Sequence, residues 1–417
     1  MQRWLHTKDA EALTLVVCRR RWQTAGMPSE GSGPVAAIVV DDHRATRLAF
    51  IDNIRWTMII LVLSMHASDT YSPFGNWYYT DRGTSGLATA VTFGVYQSFL
   101  QAFFMALLFL IAGYFAAPAL DRKGLRRFSL DRFVRLGLPT LLYMLVIGPL
   151  TQYFLSRTWG TGGFGHQWLV HLGNGEWVSE TGPMWFCAAL LLFSLGYALL
   201  RQVLPVPERR AVGQPSDGAI VGFIFVMALT TFAVRIAIPE SVAVLNMHPG
   251  DFPQYILMFA AGIAASRGRW FERLPQRSTI RWATILLLLM IPLFIVLMFV
   301  GGALQGDTSR YGGGFNPISA GKSLWEALVC VGMSFGLLAL YRRCFDRQGR
   351  WAKFLSENAF AVYLFHPPVI IALALLLHAL PAAALFKAVL LTVTAAVATF
   401  ALSALVFRRI PLLRQIL

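Results

Sequence analysis

The segment IRWATILLLLMIPLFIVLMFVGGA, residues 280–303, carries one charged side chain, Arg281, at its start. In the hydrocarbon core of a bilayer every backbone amide must be satisfied within its own segment, so about 20 apolar residues in a row form a spanning helix. The run is continuous and does not alternate between polar and apolar residues, as a membrane β-strand would. This segment therefore predicts a transmembrane helix.

Similar runs recur along the chain of 417 residues, of which 56% are hydrophobic and only 14% charged. A soluble domain carries roughly 25% charged residues. The sequence predicts an all-α polytopic membrane protein with about ten transmembrane helices, at 54–71, 93–117, 135–155, 183–204, 218–238, 252–266, 280–303, 323–341, 356–379 and 382–407. The sixth is short, and Pro367 and Pro368 are expected to break the ninth.

The basic residues alternate from loop to loop. Thirty Lys and Arg lie in the stretch up to Arg55, in every second loop after it and at the C-terminus, whereas the intervening loops hold four. Because basic loops stay on the cytoplasmic side, both termini are predicted to be cytoplasmic. The net charge of +15 then reflects topology, and no nucleic-acid partner is predicted.

The N-terminal stretch 1–46 has a different composition, with short apolar pieces separated by arginines and by a Ser/Gly/Pro segment. It predicts a poorly ordered cytoplasmic extension, with Met27 as an alternative start, before a membrane domain at 47–417. The four cysteines show no paired spacing, so neither a disulfide framework nor a metal site is expected.

Ionisable side chains inside a span are costly and therefore point to function. His66 follows Arg55 by eleven positions, roughly 16 Å along a helix, which places Arg55 near the cytoplasmic surface and His66 beyond the midplane. A histidine suits a general base, and Asp69, one turn further on the same face, would orient the imidazole. Asp81 is a second candidate for that role. The alternative is a histidine that bonds a neighbouring carbonyl and joins two helices.

Other charged groups allow two interpretations each. His366 either lines a buried channel or bonds the carbonyls that the following prolines leave free. Arg132 and Arg135 share a face at the cytoplasmic end of the third span, where they bind an anionic ligand or only set topology. Arg235 is expected to snorkel, and Glu326 and Lys387 to be paired or to reach the surface.

The spacing of Arg47, Ile51-Asp52, Ile54-Arg55 and, ten residues later, His66 resembles the opening motif of the acyltransferase-3 family. The likeness continues in order to about residue 410 and is nearest to the periplasmic-glucan succinyltransferase branch of that family. The matching segments are Phe109–Phe115 (with Ala112 where Ser is usual), Arg132–Pro139, Gly182–Phe186, Phe259–Gly262 and Ala361–His366.

The resemblance implies an O-acyltransferase of the bacterial inner membrane. It would move an acetyl, succinyl or similar group from cytoplasmic acyl-CoA to a hydroxyl of a glycan or other extracytoplasmic acceptor. His66, Asp69 and His366 would be catalytic. Guanidinium groups bind phosphates bidentately, so Arg132, Arg135 and Arg55 would hold the coenzyme A. No metal is expected.

Two outer loops, 156–182 and 301–322, are rich in Trp or Gly, which suits a glycan acceptor or, for the tryptophans, an interfacial aromatic belt. The alternative function is a secondary transporter or glycan-lipid flippase that uses the same polar residues as a proton relay. Release of coenzyme A distinguishes the enzyme from the transporter.

The charge pattern predicts the compartment of each loop. Reporter fusions at residues 125, 275 and 346 should report the cytoplasm, and fusions at 165 and 310 the opposite side. The reason is that loops rich in Lys and Arg stay on the cytoplasmic side of the membrane. The same compartment for 125 and 165 would contradict the ten-helix topology.

Overall fold

The computed structural model describes residues 48–75, 77–83, 86–155, 163–175, 181–204 and 213–414. The predicted N-terminal extension, 1–46, lies outside these residues. Within them the chain is helical, with no strand beyond an isolated bridge between Val244 and Met247. The predicted all-α class is therefore confirmed.

The helices begin and end as follows: α1 Ala49–Tyr71, α2 Leu87–Gln101, α3 Phe104–Arg132, α4 residues 133–155, α5 Gly163–Gly173, α6 Trp185–Val203, α7 Asp217–Ala237, α8 Phe252–Arg267, α9 Gln276–Val300, α10 Pro317–Cys344, α11 Arg350–Leu377 and α12 Ala384–Leu405. Helix α4 includes two π-helical turns, Phe133–Gly137 and Tyr143–Ile147. A 3-10 turn, Gly182–Met184, precedes α6, and another, Pro249–Asp251, precedes α8.

Seven helical stretches in the described ranges are long and apolar enough to cross a membrane: Leu87–Tyr153, Gly182–Val203, Asp217–Ala237, Gln276–Val300, Pro317–Cys344, Arg350–Leu377 and Ala384–Arg409. The chain is thus a multi-pass membrane protein. The count of ten and the cytoplasmic termini stay predictions. Helix α1 falls outside this set because it is rich in polar residues, and α8 because it has 16 residues.

The predicted span 93–117 is divided in the structure. Helix α2 ends at Gln101, and Phe103 has a non-helical φ of −134° before α3 begins. The carbonyl oxygen of Ala102 in this turn accepts a hydrogen bond of 2.6 Å from Gln254 of α8. The turn is tolerated because a buried side chain satisfies a backbone group that the helix would otherwise satisfy.

Helix α1 lies inside the bundle. It packs against α3, α10, α11 and α12. Its apolar side chains Ile51, Ile54, Met58 and Leu63 are completely buried. Its polar groups therefore meet protein instead of lipid, which is the condition under which ionisable groups persist in a membrane.

Helices α3 and α8 approach each other through two glycines. A Cβ atom on Gly113 would collide with the carbonyl oxygen of Phe259, and one on Gly262 with that of Leu110. Small residues let membrane helices pack backbone against backbone. This contact explains the glycines of the Phe109–Phe115 and Phe259–Gly262 segments.

The prediction that Arg235 snorkels is wrong. Its guanidinium is 2% exposed and contacts Glu326 at 2.6 Å, Asp251 at 2.6 Å and Glu240 at 2.7 Å. Glu240 also binds the ammonium of Lys322 at 2.7 Å. The end of α7, the turn before α8 and the start of α10 each bring a charge to this place, so the buried cation is compensated by carboxylates.

The glycine contact predicts that Gly262→Ala destabilises the bundle, because the added methyl group must push α3 away. Overpacking of this kind costs about 1–3 kcal/mol, which should lower the melting temperature of the detergent-solubilised protein. Gly222→Ala in α7 is the control, since a Cβ there meets nothing within 4 Å. Equal melting temperatures for the two variants would contradict the close packing.

Candidate active site

The structure brings His66 and Asp69 together on one face of α1. The Nδ1 atom of His66 lies 3.3 Å from Oδ2 of Asp69. An ionised carboxylate only accepts hydrogen bonds, so Nδ1 is the donor and Nε2 of the neutral ring keeps its lone pair. The imidazole is thereby fixed in the tautomer that a general base needs.

A polar chain holds the Asp69 carboxylate. Gln97 of α2 donates from Nε2 to Oδ1 of Asp69 at 2.8 Å, and the Ser72 hydroxyl donates to Oε1 of Gln97 at 3.1 Å. Ser72 itself accepts from the backbone amide of Gly75 at 2.9 Å. Sequence reasoning missed Gln97, although a polar amide within an apolar span was a usable signal.

His366 of α11 lies beside His66. The two imidazole centroids are 5.2 Å apart, with 12° between the ring planes. Nδ1 of His366 lies 2.7 Å from the carbonyl oxygen of Tyr363, which Pro367 cannot bond because it has no N–H. The side chain replaces the missing helical hydrogen bond, and α11 continues from Arg350 to Leu377. The expected break in this helix is therefore wrong.

Trp77, in the loop between α1 and α2, packs on a face of the His66 imidazole. Its ring stacks on His66 at a centroid distance of 3.8 Å and an angle of 16°. Trp77 and His366 are also nearly parallel, with centroids 6.3 Å apart. Sequence reasoning missed Trp77, since a tryptophan in a loop carries no signal of what it will contact.

Asp81 anchors this loop and does not orient His66. Its carboxylate binds the Lys387 ammonium at 2.8 Å and His378 Nδ1 at 3.1 Å, and its amide donates to the Thr70 carbonyl at 2.8 Å. Burial, and then the Asp81 charge, raise the pKa of the neighbouring Tyr79. The proposal of Asp81 as the partner of His66 is therefore wrong, and Lys387 is paired.

Among the described residues, two buried nitrogens of this group have no hydrogen-bond partner: Nε1 of Trp77 and Nε2 of His366. The indole N–H is a donor only. Because Nδ1 of His366 donates to a carbonyl, its Nε2 is an acceptor. Unsatisfied buried polar atoms are rare in proteins and indicate a place where a polar ligand can bind.

The three arginines meet at the other end of α1. Arg55 lies 3.3 Å from Asp52 and 4.8 Å above the Phe115 ring. Arg132 lies over the Phe128 ring at 5.0 Å, and Arg55 and Arg135 are close enough for their positive charges to act on it. Neither Arg132 nor Arg135 forms a salt bridge with the described residues. Such a cluster attracts an anion.

The remaining predictions on the site concern metals and loops. No group of three or more His, Cys, Asp or Glu suited to a metal occurs in the described part of the chain. Of the loop 156–182, residues 156–162 and 176–180 lie outside the described ranges. Trp168 of the same loop donates its indole N–H to the Leu145 carbonyl at 2.7 Å. This bond ties α5 to α4.

Comparison with known proteins identifies related sequences. The acyltransferase-3 family model, described as an acyltransferase domain, matches residues 48–408. Glucans biosynthesis protein C of Salmonella schwarzengrund (strain CVM19633) is 32% identical over 113 residues, which are 27% of this chain and 28% of the relative. The aligned part is thus little more than a quarter of that relative. No solved structure matches the chain.

Proposed function

The chain belongs to the acyltransferase-3 family and is a multi-pass membrane acyltransferase, and from this premise we propose its reaction. It moves an acyl group from cytoplasmic acyl-CoA to a hydroxyl of a glycan or another extracytoplasmic acceptor. The hydrogen bond between His66 and Asp69 is the observation that carries the proposal. Family membership favours this reaction over the transporter alternative.

His66 is the general base. With Nδ1 donating to Asp69, its Nε2 takes the proton from the acceptor hydroxyl as the oxygen attacks the thioester carbonyl carbon. The imidazolium then returns the proton to the departing thiolate, so the ring ends neutral. Asp69 stabilises the transient cation, and Gln97 keeps the carboxylate in place.

His366 acts beside the base as a second acceptor in the same site. Its bond to Tyr363 fixes the ring, and its stacking on His66 limits the movement of that imidazole. An imidazole packed against both His366 and Trp77 keeps its nitrogen aimed at one position, and such positioning accounts for a large part of enzymatic rate enhancement. The bond to Tyr363 is the carbonyl contact predicted for His366, and its role in lining a channel stays a prediction.

The arginine cluster binds the donor. Coenzyme A carries a diphosphate and a ribose phosphate at one end and the thioester at the other. Arg132 and Arg135 form no salt bridge in the described chain, and the nearby Asp131 carboxylate binds Lys123, so phosphates need not displace a carboxylate from either arginine. The roughly 16 Å along α1 between Arg55 and His66 matches a ligand whose phosphates and reactive carbonyl are far apart.

This arrangement requires ten crossings, with both termini and the arginine cluster on the cytoplasmic side of the bacterial inner membrane. The alternation of basic loops supports that topology. Helix α1, although polar, crosses within the bundle, and α8 crosses against α3 through the glycine contact. The partial match to glucans biosynthesis protein C supports a glucan as acceptor, with acetyl and succinyl donors both compatible.

The donor site predicts that Arg132→Ala or Arg135→Ala raises the apparent KM for acyl-CoA. Each lost charge-assisted contact is worth about 1.5–3 kcal/mol, or roughly ten- to a hundredfold in affinity. Replacing either arginine by lysine should restore only part of the affinity for acyl-CoA, because an ammonium group cannot bind a phosphate bidentately. The control is Arg126→Ala, an exposed arginine of the same cytoplasmic region. Unchanged donor KM in both site variants would leave these residues as topology determinants.

The base predicts that His66→Ala stops acyl transfer in a protein that still inserts. Loss of positioned proton transfer should lower kcat at least ~10²–10⁴-fold, measured as coenzyme A release by purified protein in nanodiscs. His248→Ala is the matched control, because the His248 side chain is exposed and, within the described ranges, bonds a backbone carbonyl, that of Glu240. Normal kcat in well-expressed His66→Ala would contradict the mechanism.

A further inference from the structure

The proposed reaction lacks one component that acyl transfer requires. When the hydroxyl oxygen attacks the thioester, the carbonyl oxygen becomes an anion, and a hydrogen-bond donor near it lowers the barrier. His66 and His366 are acceptors at Nε2, and the Asp69 carboxylate is an acceptor as well. Before the reaction starts, none of these three groups carries a proton that it could donate to the developing anion.

Trp77 supplies a donor at this place. Its Nε1–H is buried and has no hydrogen-bond partner among the described residues. Burial of a donor without a partner costs about 1–3 kcal/mol, and a ligand acceptor at the Trp77 N–H would remove that cost. The indole ring lies on the imidazole of the base, with 3.8 Å between the centroids. The donor therefore belongs to the ring that packs directly on the base.

We propose that the Trp77 indole N–H is the oxyanion donor of the acyl transfer, an inference that rests on the proposed function. The hydroxyl proton moves to His66 Nε2 while the new C–O bond forms and the carbonyl electron pair moves onto oxygen. That oxygen accepts a hydrogen bond from Trp77. When the C=O bond reforms, the C–S bond breaks, and the thiolate takes the proton from His66.

The loop that carries Trp77 is fixed against helices α1 and α12. Gly75 passes so close to α1 that a Cβ atom would collide with the backbone of Asp69. Arg82 donates to the Gly75 carbonyl, and Asp81 ties the loop to Lys387 of α12. The indole is thus fixed before substrate binds, and preorganised donors stabilise charge without a cost of reorganisation.

A purely structural Trp77 would support His66 by packing alone. Trp77→Phe separates the two roles, since phenylalanine keeps an aromatic ring on the imidazole and removes only the N–H. Trp325→Phe is the matched control. Trp325 also has a buried Nε1 without a partner among the described residues, but it packs against Phe294, in α9.

The experiment measures coenzyme A release by wild type and both variants in nanodiscs, with acetyl-CoA or succinyl-CoA as donor and a gluco-oligosaccharide as acceptor. Loss of an oxyanion donor should lower kcat of Trp77→Phe roughly 10²–10³-fold while both KM values stay near wild type. Trp325→Phe should keep wild-type kcat. Trp77→Ala, which loses the stacking as well, should be no more active than Trp77→Phe.

Three outcomes overturn the inference. If Trp77→Phe retains wild-type kcat, the N–H is not used, and the role of His66 still stands. If its KM values rise while kcat is kept, Trp77 only shapes the binding site. If wild type releases no coenzyme A with any of these donor and acceptor pairs, while the folded protein is monodisperse, the proposed function fails and this inference fails with it.

Discussion

The need to satisfy polar groups away from water governs this bundle. Helix α1 carries amide, hydroxyl, carboxylate and imidazole groups into a bundle of helices that are apolar enough to cross a membrane, where lipid offers no hydrogen bonds. It is therefore enclosed by α3, α10, α11 and α12, and each level of the helix has a partner on another segment. From one end to the other these pairs are Asn53 with the Phe345 carbonyl at 2.7 Å, Thr57 with Tyr341 at 2.8 Å, Ser64 with Tyr96 at 2.7 Å, and Asp69 with Gln97 at 2.8 Å.

The elements that sequence predicts well are those in which burial in lipid alone decides the outcome. The apolar runs became helices because helix formation in lipid follows from local composition. Arg235 shows the limit. Its neighbours in sequence indicate an arginine near a membrane surface, whereas its true partners come from three other segments.

In the candidate site, too, contacts between residues close in sequence could be predicted, and contacts between distant segments could not. His66 and Asp69 are one helical turn apart, so their pairing can be predicted from spacing. Trp77 and His366 reach His66 from a loop and a distant helix, and no local pattern specifies a long-range ring stack. Asp81 failed as a partner because Lys387, more than three hundred residues away, attracts its carboxylate more directly.

The two prolines of α11 connect backbone chemistry to the state of the site. Pro367 removes the N–H that would bond the Tyr363 carbonyl, and a bare carbonyl in a buried helix is costly. Nδ1 of His366 donates to that oxygen, so its proton is committed there. In a neutral imidazole the other nitrogen must then be an acceptor. Pro367 thus sets the tautomer of His366: the imidazole beside His66 presents a lone pair at Nε2 because the helix lacks one amide hydrogen.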